Sequence, residues 1–190
     1  MRRSFYCLPL AALAAVLSAG AARADDYGID PVHSSVTFKA GHLGLAWIHG
    51  RFNAFSGGFT VDKDAPEKCS FTLTVKAESV DTNNAQRDKH LKSPDFFNVK
   101  QFPQITFKST AVKADKGGYE VTGDLTLHGQ TKPVTFTLKG GREAQFPPGT
   151  RRTGFSAELT LKRGDFGMDK LRQAISDDVP VSISFEGTRK

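Results

Sequence analysis

Five histidines, His33, His42, His49, His90 and His128, are the side chains of this 190-residue chain best suited to hold a metal or move a proton near neutral pH. The spacing of His33, His42 and His49 permits a metal site without requiring one, and two cysteines cannot build a Cys-rich zinc site. Asp88 and His90 have the chemistry of a base and its orienting partner, yet no nucleophile adjoins them in sequence. A Gly-x-Ser-x-Gly elbow, a phosphate loop, a dinucleotide fingerprint and a His-Glu-x-x-His pair are all absent. Arg87, Asp88 and His90 therefore read as a polar network that fastens a helical insert to the fold, with Arg87 and Asp88 suited to an ion pair. Asp177-Asp178 reads as solvated loop. No catalytic residue, metal ligand or cofactor is assigned.

Phenylalanine is the stronger signal. The chain holds 15 Phe against one Trp and three Tyr, so much aromatic surface without a polar handle must be buried. All but Phe5 and Phe146 fall mostly at inward positions of strands or within the helical insert. Such residues fill a packed core or line a cavity, and composition does not choose between the two.

The elements that must position these residues alternate with period two. Val36 and Phe38 oppose Thr37 and Lys39, and Phe71, Leu73, Val75 and Ala77 oppose Thr72, Thr74 and Lys76. The same alternation covers Ile105–Phe107, Tyr119–Leu127, Val134–Leu138, Phe155–Leu161 and Val179–Phe185. Between Phe52 and Val61 the parity changes, and Gly57-Gly58 is the expected bulge or bend that brings Phe52, Phe55 and Phe59 to one side. About eight half-buried antiparallel strands follow, with no room for parallel crossovers. One apolar face per strand means the sheet closes on itself or packs on a second sheet. Helix is confined to Asn84–Lys92, capped by Asp81-Thr82, with further turns after Ser93-Pro94-Asp95 and around Lys170–Ile175. Arg142–Arg152 reads as plain loop.

Residues 1–24 read as a cleaved signal peptide: Arg2-Arg3, a short apolar stretch over Leu8–Ala19, and Ala22-Arg23-Ala24 as a small-x-small cleavage site. That apolar stretch falls short of the roughly 18–20 residues of a membrane span. The remaining domain, 25–190, loses three of the 26 basic residues and keeps 23 against 20 acidic ones, a net of +3. Its cations are scattered, which with export argues against nucleic acid. Weak attraction to an anionic membrane surface stays open. Cys69, alone after cleavage, falls in step with Phe71 and reads as a buried, inert thiol.

Tyr27-Gly28-Ile29-Asp30-Pro31-Val32-His33-Ser34, Gly50-Arg51-Phe52, Arg87-Asp88-Lys89-His90-Leu91-Lys92-Ser93-Pro94-Asp95-Phe96-Phe97, Gly123-Asp124-Leu125-Thr126-Leu127-His128-Gly129 and Arg163-Gly164-Asp165-Phe166-Gly167 together resemble the YceI-like proteins. The resemblance spans residues 26–187, and the Arg-Asp-x-His-Leu-x-Ser-x-x-Phe-Phe run is its most specific part. It implies an all-β, eight-stranded antiparallel lipocalin-like barrel with a short helical insert, secreted to the periplasm. It also implies a long-chain isoprenoid lipid, such as an isoprenoid quinone or prenyl phenol, held inside the barrel as a ligand and not altered. Some members hold fatty acids or amides. Gly167–Asp178 and Trp47-Ile48-His49 depart from the family's usual residues.

On this reading the tail is expected to lie against Phe38, His42, Trp47, Phe52, Phe59, Leu73, Val75, Leu91, Phe96, Phe97, Phe107, Phe136, Phe155, Phe166 and Phe185. Arg87, Asp88 and His90 are expected near the headgroup, and no buried charge is expected against the tail. Three alternatives remain at this level: an enzyme built around His90, a packed stress-related structural or interaction domain, and a haem or metal carrier. The sequence is compatible with a homodimer and does not determine one.

Overall fold

The computed structural model describes residues 24–189; the expected signal peptide lies outside the described residues, apart from Ala24. Ten strand segments form one antiparallel sheet: β1 Asp25–His42, β2 Ala46–Phe52, β3 Phe55–Val61, β4 Ser70–Lys76, β5 Val80–Asp81, β6 Gln104–Asp115, β7 Gly118–Leu127, β8 Gln130–Gln145, β9 Arg151–Lys162 and β10 Asp178–Arg189. β1 pairs with β2 through its second half and with β3 through its first, so β2 and β3 are the two halves of one bent strand. β5 likewise prolongs β4 after one 3-10 turn and pairs with β2. Eight bent strands result, and β10 pairs with β1 to close the barrel. Closure removes the sheet edges that would otherwise stay unpaired.

The parity change sits before the two glycines expected to make it. β2 ends at Phe52 and β3 begins at Phe55, so Asn53 and Ala54 make the bend. They are fastened there by Asn53 N–H to the Ser79 carbonyl at 3.1 Å and Ala54 N–H to Ser79 Oγ at 3.0 Å. Gly57 remains regular strand, where a Cβ would meet the Thr72 carbonyl oxygen at 2.2 Å. Elsewhere glycine makes room for an inward aromatic ring. Phe38 lies opposite Gly50, and a Cβ on Gly50 would stand 2.4 Å from the ring.

The expected loop Arg142–Arg152 is mostly strand. Glu143, Ala144 and Gln145 pair with Thr153, Arg152 and Arg151, leaving only residues 146–150 as the turn. These residues are polar or small on both faces, so backbone bonding forms the ladder without an apolar alternation to announce it. β7 and β8 meet through His128-Gly129, both at positive φ (51° and 74°), as a tight hairpin demands.

Helix α1 covers Ala85–Leu91, and its cap is Asn84, not Asp81-Thr82: the Asn84 side chain accepts from Arg87 N–H at 2.9 Å. Asp81 instead accepts from Asn83 N–H at 2.9 Å and from the Asn53 amide at 3.0 Å. One helical turn forms over Leu171–Ile175, closed by Ile175 N–H to the Leu171 carbonyl.

One end of the barrel is solid. Tyr27, Phe59, Phe71 and Phe155 stack and meet edge-on with centroids 5.1–5.9 Å apart, over a buried floor with Cys69, Val121 and Leu138. Arg152, Asp30, Asp25 and Arg189 close that end with ion pairs.

Candidate functional site

Above the aromatic floor the barrel is hollow. A cavity of about 670 Å³ runs up the interior, walled almost wholly by apolar side chains. Inward residues such as Leu73, Phe107, Phe136, Leu159, Val181 and Phe185 are only half-buried because they face this hollow rather than packed neighbours. A core filled by phenylalanine would have buried them completely. Its size falls within the ordinary range for ligand sites.

The mouth is defined by wall residues that also reach solvent: His42, Asn84, Gln86, His90 and Leu171. Three segments frame it, namely the β1–β2 turn, helix α1 and the 167–177 loop. Asp95 ties two of them, accepting from His90 Nε2 at 2.9 Å and lying 3.6 Å from the Lys170 ammonium. These partners, His90 foremost, hold the Asp95 carboxyl below the usual carboxylate range. The loop is bound to the β1–β2 turn by Leu43 N–H to the Ala174 carbonyl at 2.8 Å and to β1 by Ser176 N–H to the Gly41 carbonyl at 3.0 Å.

The expected wall residues fall into three groups. Phe38, His42, Phe52, Phe59, Leu73, Val75, Leu91, Phe96, Phe97, Phe107, Phe136 and Phe185 all border the cavity. Phe155 and Phe166 do not. Phe155 is part of the packed floor, and Phe166 lies beneath the 3-10 turn Arg163–Phe166 against Leu125, Leu127 and Met168. Trp47 points outward and is 50% exposed, with the Lys39 ammonium 5.0 Å from its ring centroid.

The Arg87–Asp88–His90 group separates as well. Arg87 and His90 border the cavity, whereas Asp88 turns away to Thr82. No Arg87–Asp88 pair forms. Both residues grip the buried Thr82: Arg87 Nε donates to its hydroxyl at 2.7 Å and Nη2 to its carbonyl at 2.6 Å. The insert is thus fastened to the barrel as a polar network, through threonine rather than through an ion pair.

One buried charge does border the cavity, against expectation. Arg163 is 5% exposed and uses its guanidinium to hold the loop: Nε to the Ser176 carbonyl at 3.0 Å, Nη1 to those of Met168 and Lys170 at 2.5 and 2.9 Å, and Nη2 to that of Ile175 at 3.1 Å. Burial lowers its affinity for a proton, and the nearby Asp177 offsets part of that. Its charge is spent on backbone carbonyls, so the wall it joins remains apolar. The family motif Arg163–Gly167 held this residue in plain sight, but a motif does not say which way a guanidinium turns.

Also missed as wall residues were Leu125, Leu127, Leu159, Leu161, Val181 and Ile183. Their inward parity was legible; selecting aromatic residues over aliphatic ones passed them by. Among the described residues no three His, Cys, Asp or Glu side chains converge as a metal site, and no helix is long and apolar enough to cross a membrane. His33 pairs with Asp30, and His128 Nδ1–H donates to the Phe166 carbonyl at 2.9 Å.

The family model for the YceI-like domain matches residues 27–187. This chain belongs to the YceI-like family. It is 43% identical over 192 residues to the protein YceI of Escherichia coli, with 100% of both chains covered. The YceI-like barrel superimposes on Burkholderia cenocepacia BcnA with a TM-score of 0.72 at 26% identity, covering 83% of this chain and 98% of that one. It shares its fold with a polyisoprenoid binding domain from Saccharophagus degradans, TM-score 0.62 at 19% identity, over 86% of this chain and 98% of that one. The YceI-like motif around Arg87–Phe97 corresponds in space to α1 and the turns behind it, which form one side of the mouth.

Proposed function

We propose that this barrel binds a long-chain isoprenoid lipid, such as an isoprenoid quinone or prenyl phenol, and carries or stores it in the periplasm without altering it. The observation that carries this reading is the apolar cavity of about 670 Å³, solid at its floor and open at one polar-edged mouth. The YceI-like membership and the fold shared with a polyisoprenoid binding domain support the same ligand class. The tail occupies the wall of Phe38, Leu73, Phe107, Phe136 and Phe185. The headgroup stays at the mouth, within reach of Gln86, Arg87 and His90.

Energetics define the useful reference state. Each CH₂ removed from water contributes about 0.8 kcal/mol, so a tail of roughly forty carbons would exceed the practical ceiling of about 18–21 kcal/mol for noncovalent affinity. Such a lipid resides in a bilayer, and bilayer-to-barrel transfer gains little because both are apolar. Shape and aromatic contact with the wall make the difference, and the tail moves in either direction at modest cost.

Native mass spectrometry of the protein purified from a periplasmic extract, with organic extraction of what it holds, tests this reading. A prenyl quinone or prenyl phenol is the expected mass. A fatty acid or amide would keep the carrier and change its cargo. Bare protein that takes up no added lipid from detergent micelles would overturn it.

A further inference from the structure

Beside the mouth stands a group of large apolar side chains turned to solvent. Leu43 and Leu45 on the β1–β2 turn and Trp47 at the start of β2 are 56%, 83% and 50% exposed, and Leu171 faces them from the 167–177 loop. Between turn and loop runs a shallow groove that shares Gly41 and Ile175 with the cavity wall. The apolar surface is therefore continuous from the outside of the rim to the interior.

The backbone makes this placement unusual. Five non-glycine residues among those described have positive φ: Leu43, Asn83, Asn98, His128 and Leu171. Asn and His tolerate that region, whereas a leucine there is unfavourable. The two leucines both sit on this rim, at φ 53° and 56°, and Leu43 gains no core contact in return. The β1–β2 turn requires positive φ at Leu43 and Gly44, as the β7–β8 turn does at His128-Gly129, so the telling choice is an exposed leucine where asparagine would serve.

Charge points to the same occupant. From Pro31 to Val61 the chain contains no carboxylate; of the two cations in this span Arg51 lies 3.7 Å from Asp81, and Lys39 stands beside the rim. Lys39 caps the Trp47 ring and has no carboxylate partner among the described residues. On the facing loop Arg172 pairs with Asp169 and Lys170 with Asp95, so the free cation is on the Leu43–Trp47 side. An indole beside an ammonium, next to exposed leucines, suits the boundary between headgroups and acyl chains.

We propose that the rim of Leu43, Leu45, Trp47 and Leu171 docks the mouth onto an anionic bilayer surface, so that the lipid passes between bilayer and cavity without crossing water. This rests on the lipid-carrier reading above. Trp47 is the only tryptophan of the chain, so its fluorescence reports on the rim alone.

The experiment adds vesicles of phosphatidylethanolamine and phosphatidylglycerol to the protein and follows that emission. A blue shift, quenched by lipids brominated high on their acyl chains and weakened by salt, is expected. Leu43→Asn with Leu45→Ser should lower vesicle affinity by ~10-fold or more, because two exposed leucines leave the bilayer contact. Neither residue borders the main cavity, so uptake of a long-chain lipid from detergent micelles should persist, and asparagine at a positive φ should not lower the melting temperature. An unshifted Trp47, a double variant that binds vesicles as tightly as the parent, or a shift that follows protein concentration without vesicles and so marks a second copy would each overturn docking. Micelle uptake separates the two readings: uptake without docking defeats only the rim, and docking without uptake defeats only the carrier.

Discussion

Asp88 Oδ1 accepts two hydrogen bonds from Thr82, one from its backbone N–H at 2.9 Å and one from its hydroxyl at 2.5 Å. Arg87, the preceding residue, holds the hydroxyl and carbonyl oxygens of the same threonine. Consecutive helix residues thus clamp one buried strand-end residue, and α1 is held over the cavity by that clamp.

Asp88→Ala should leave the Thr82 N–H and O–H donors without their acceptor, at about 1–3 kcal/mol. Amide exchange across residues 82–91 should quicken and bound lipid should leave faster, both measurable by hydrogen exchange and release kinetics. Exchange identical to the parent would contradict the clamp.

Arg163→Met should strip four loop carbonyls of their donor and destabilise the fold by roughly 3 kcal/mol or more. Urea unfolding gives the magnitude, and exchange confined to residues 168–176 gives the place. Arg163→Lys should rescue it only in part, since an ammonium cannot reproduce the planar fork.

Floor and wall should respond oppositely to changes in volume. Phe155→Ala empties a packed position and should cost about 3–5 kcal/mol. Val181→Phe adds atoms to a hollow and should change stability by less than about 1 kcal/mol while lowering the lipid carried per protein. Thermal melts paired with lipid extraction distinguish the two. A large loss from Val181→Phe would mean that the interior is tightly packed.

Acid should weaken the closed end. Arg152 first, and His33 next, hold the Asp30 carboxyl well below its ordinary value of 3.8. Because its folded pKa is depressed, its contribution is present above the unfolded pKa and lost as pH falls through the folded one. Melting temperature should therefore drop between about pH 5 and pH 2, and Asp30→Asn should flatten that slope. Parallel curves for parent and variant would exclude Asp30 as a cause.

Burial raises the Cys69 thiol pKa, even though the Asp62 N–H donates to its sulfur at 3.3 Å. The peptide containing Cys69 should stay unmodified by iodoacetamide at neutral pH in native protein, and react once urea unfolds it. Rapid native labelling would show that the floor opens.

Period-two alternation over Phe71–Lys76, Val134–Leu138 and Phe155–Leu161 made the strands and their inward faces legible, because side chains of a strand must point to opposite sides. The 142–145 ladder was not legible, since a hydrogen-bonded backbone leaves no trace in polar side chains. Nor was the bend at Asn53–Ala54: Gly57-Gly58 draws the eye instead, yet glycine marks close approach as often as curvature.

By itself the sequence determined a one-sided antiparallel β fold, its aromatic wealth, its family and the short helical insert, all of which follow from local order along the chain. Whether inward side chains touch one another or face a space depends on the barrel's circumference, which many strands set together. Only the tertiary structure therefore separated Phe155 in the floor from Phe136 in the wall. It alone turned Asp88 toward Thr82, Arg163 onto four carbonyls and Trp47 outward beside Lys39. Those directions arise from contacts between residues far apart in the chain, such as Leu43 with Ala174, and spacing along the chain carries no record of them.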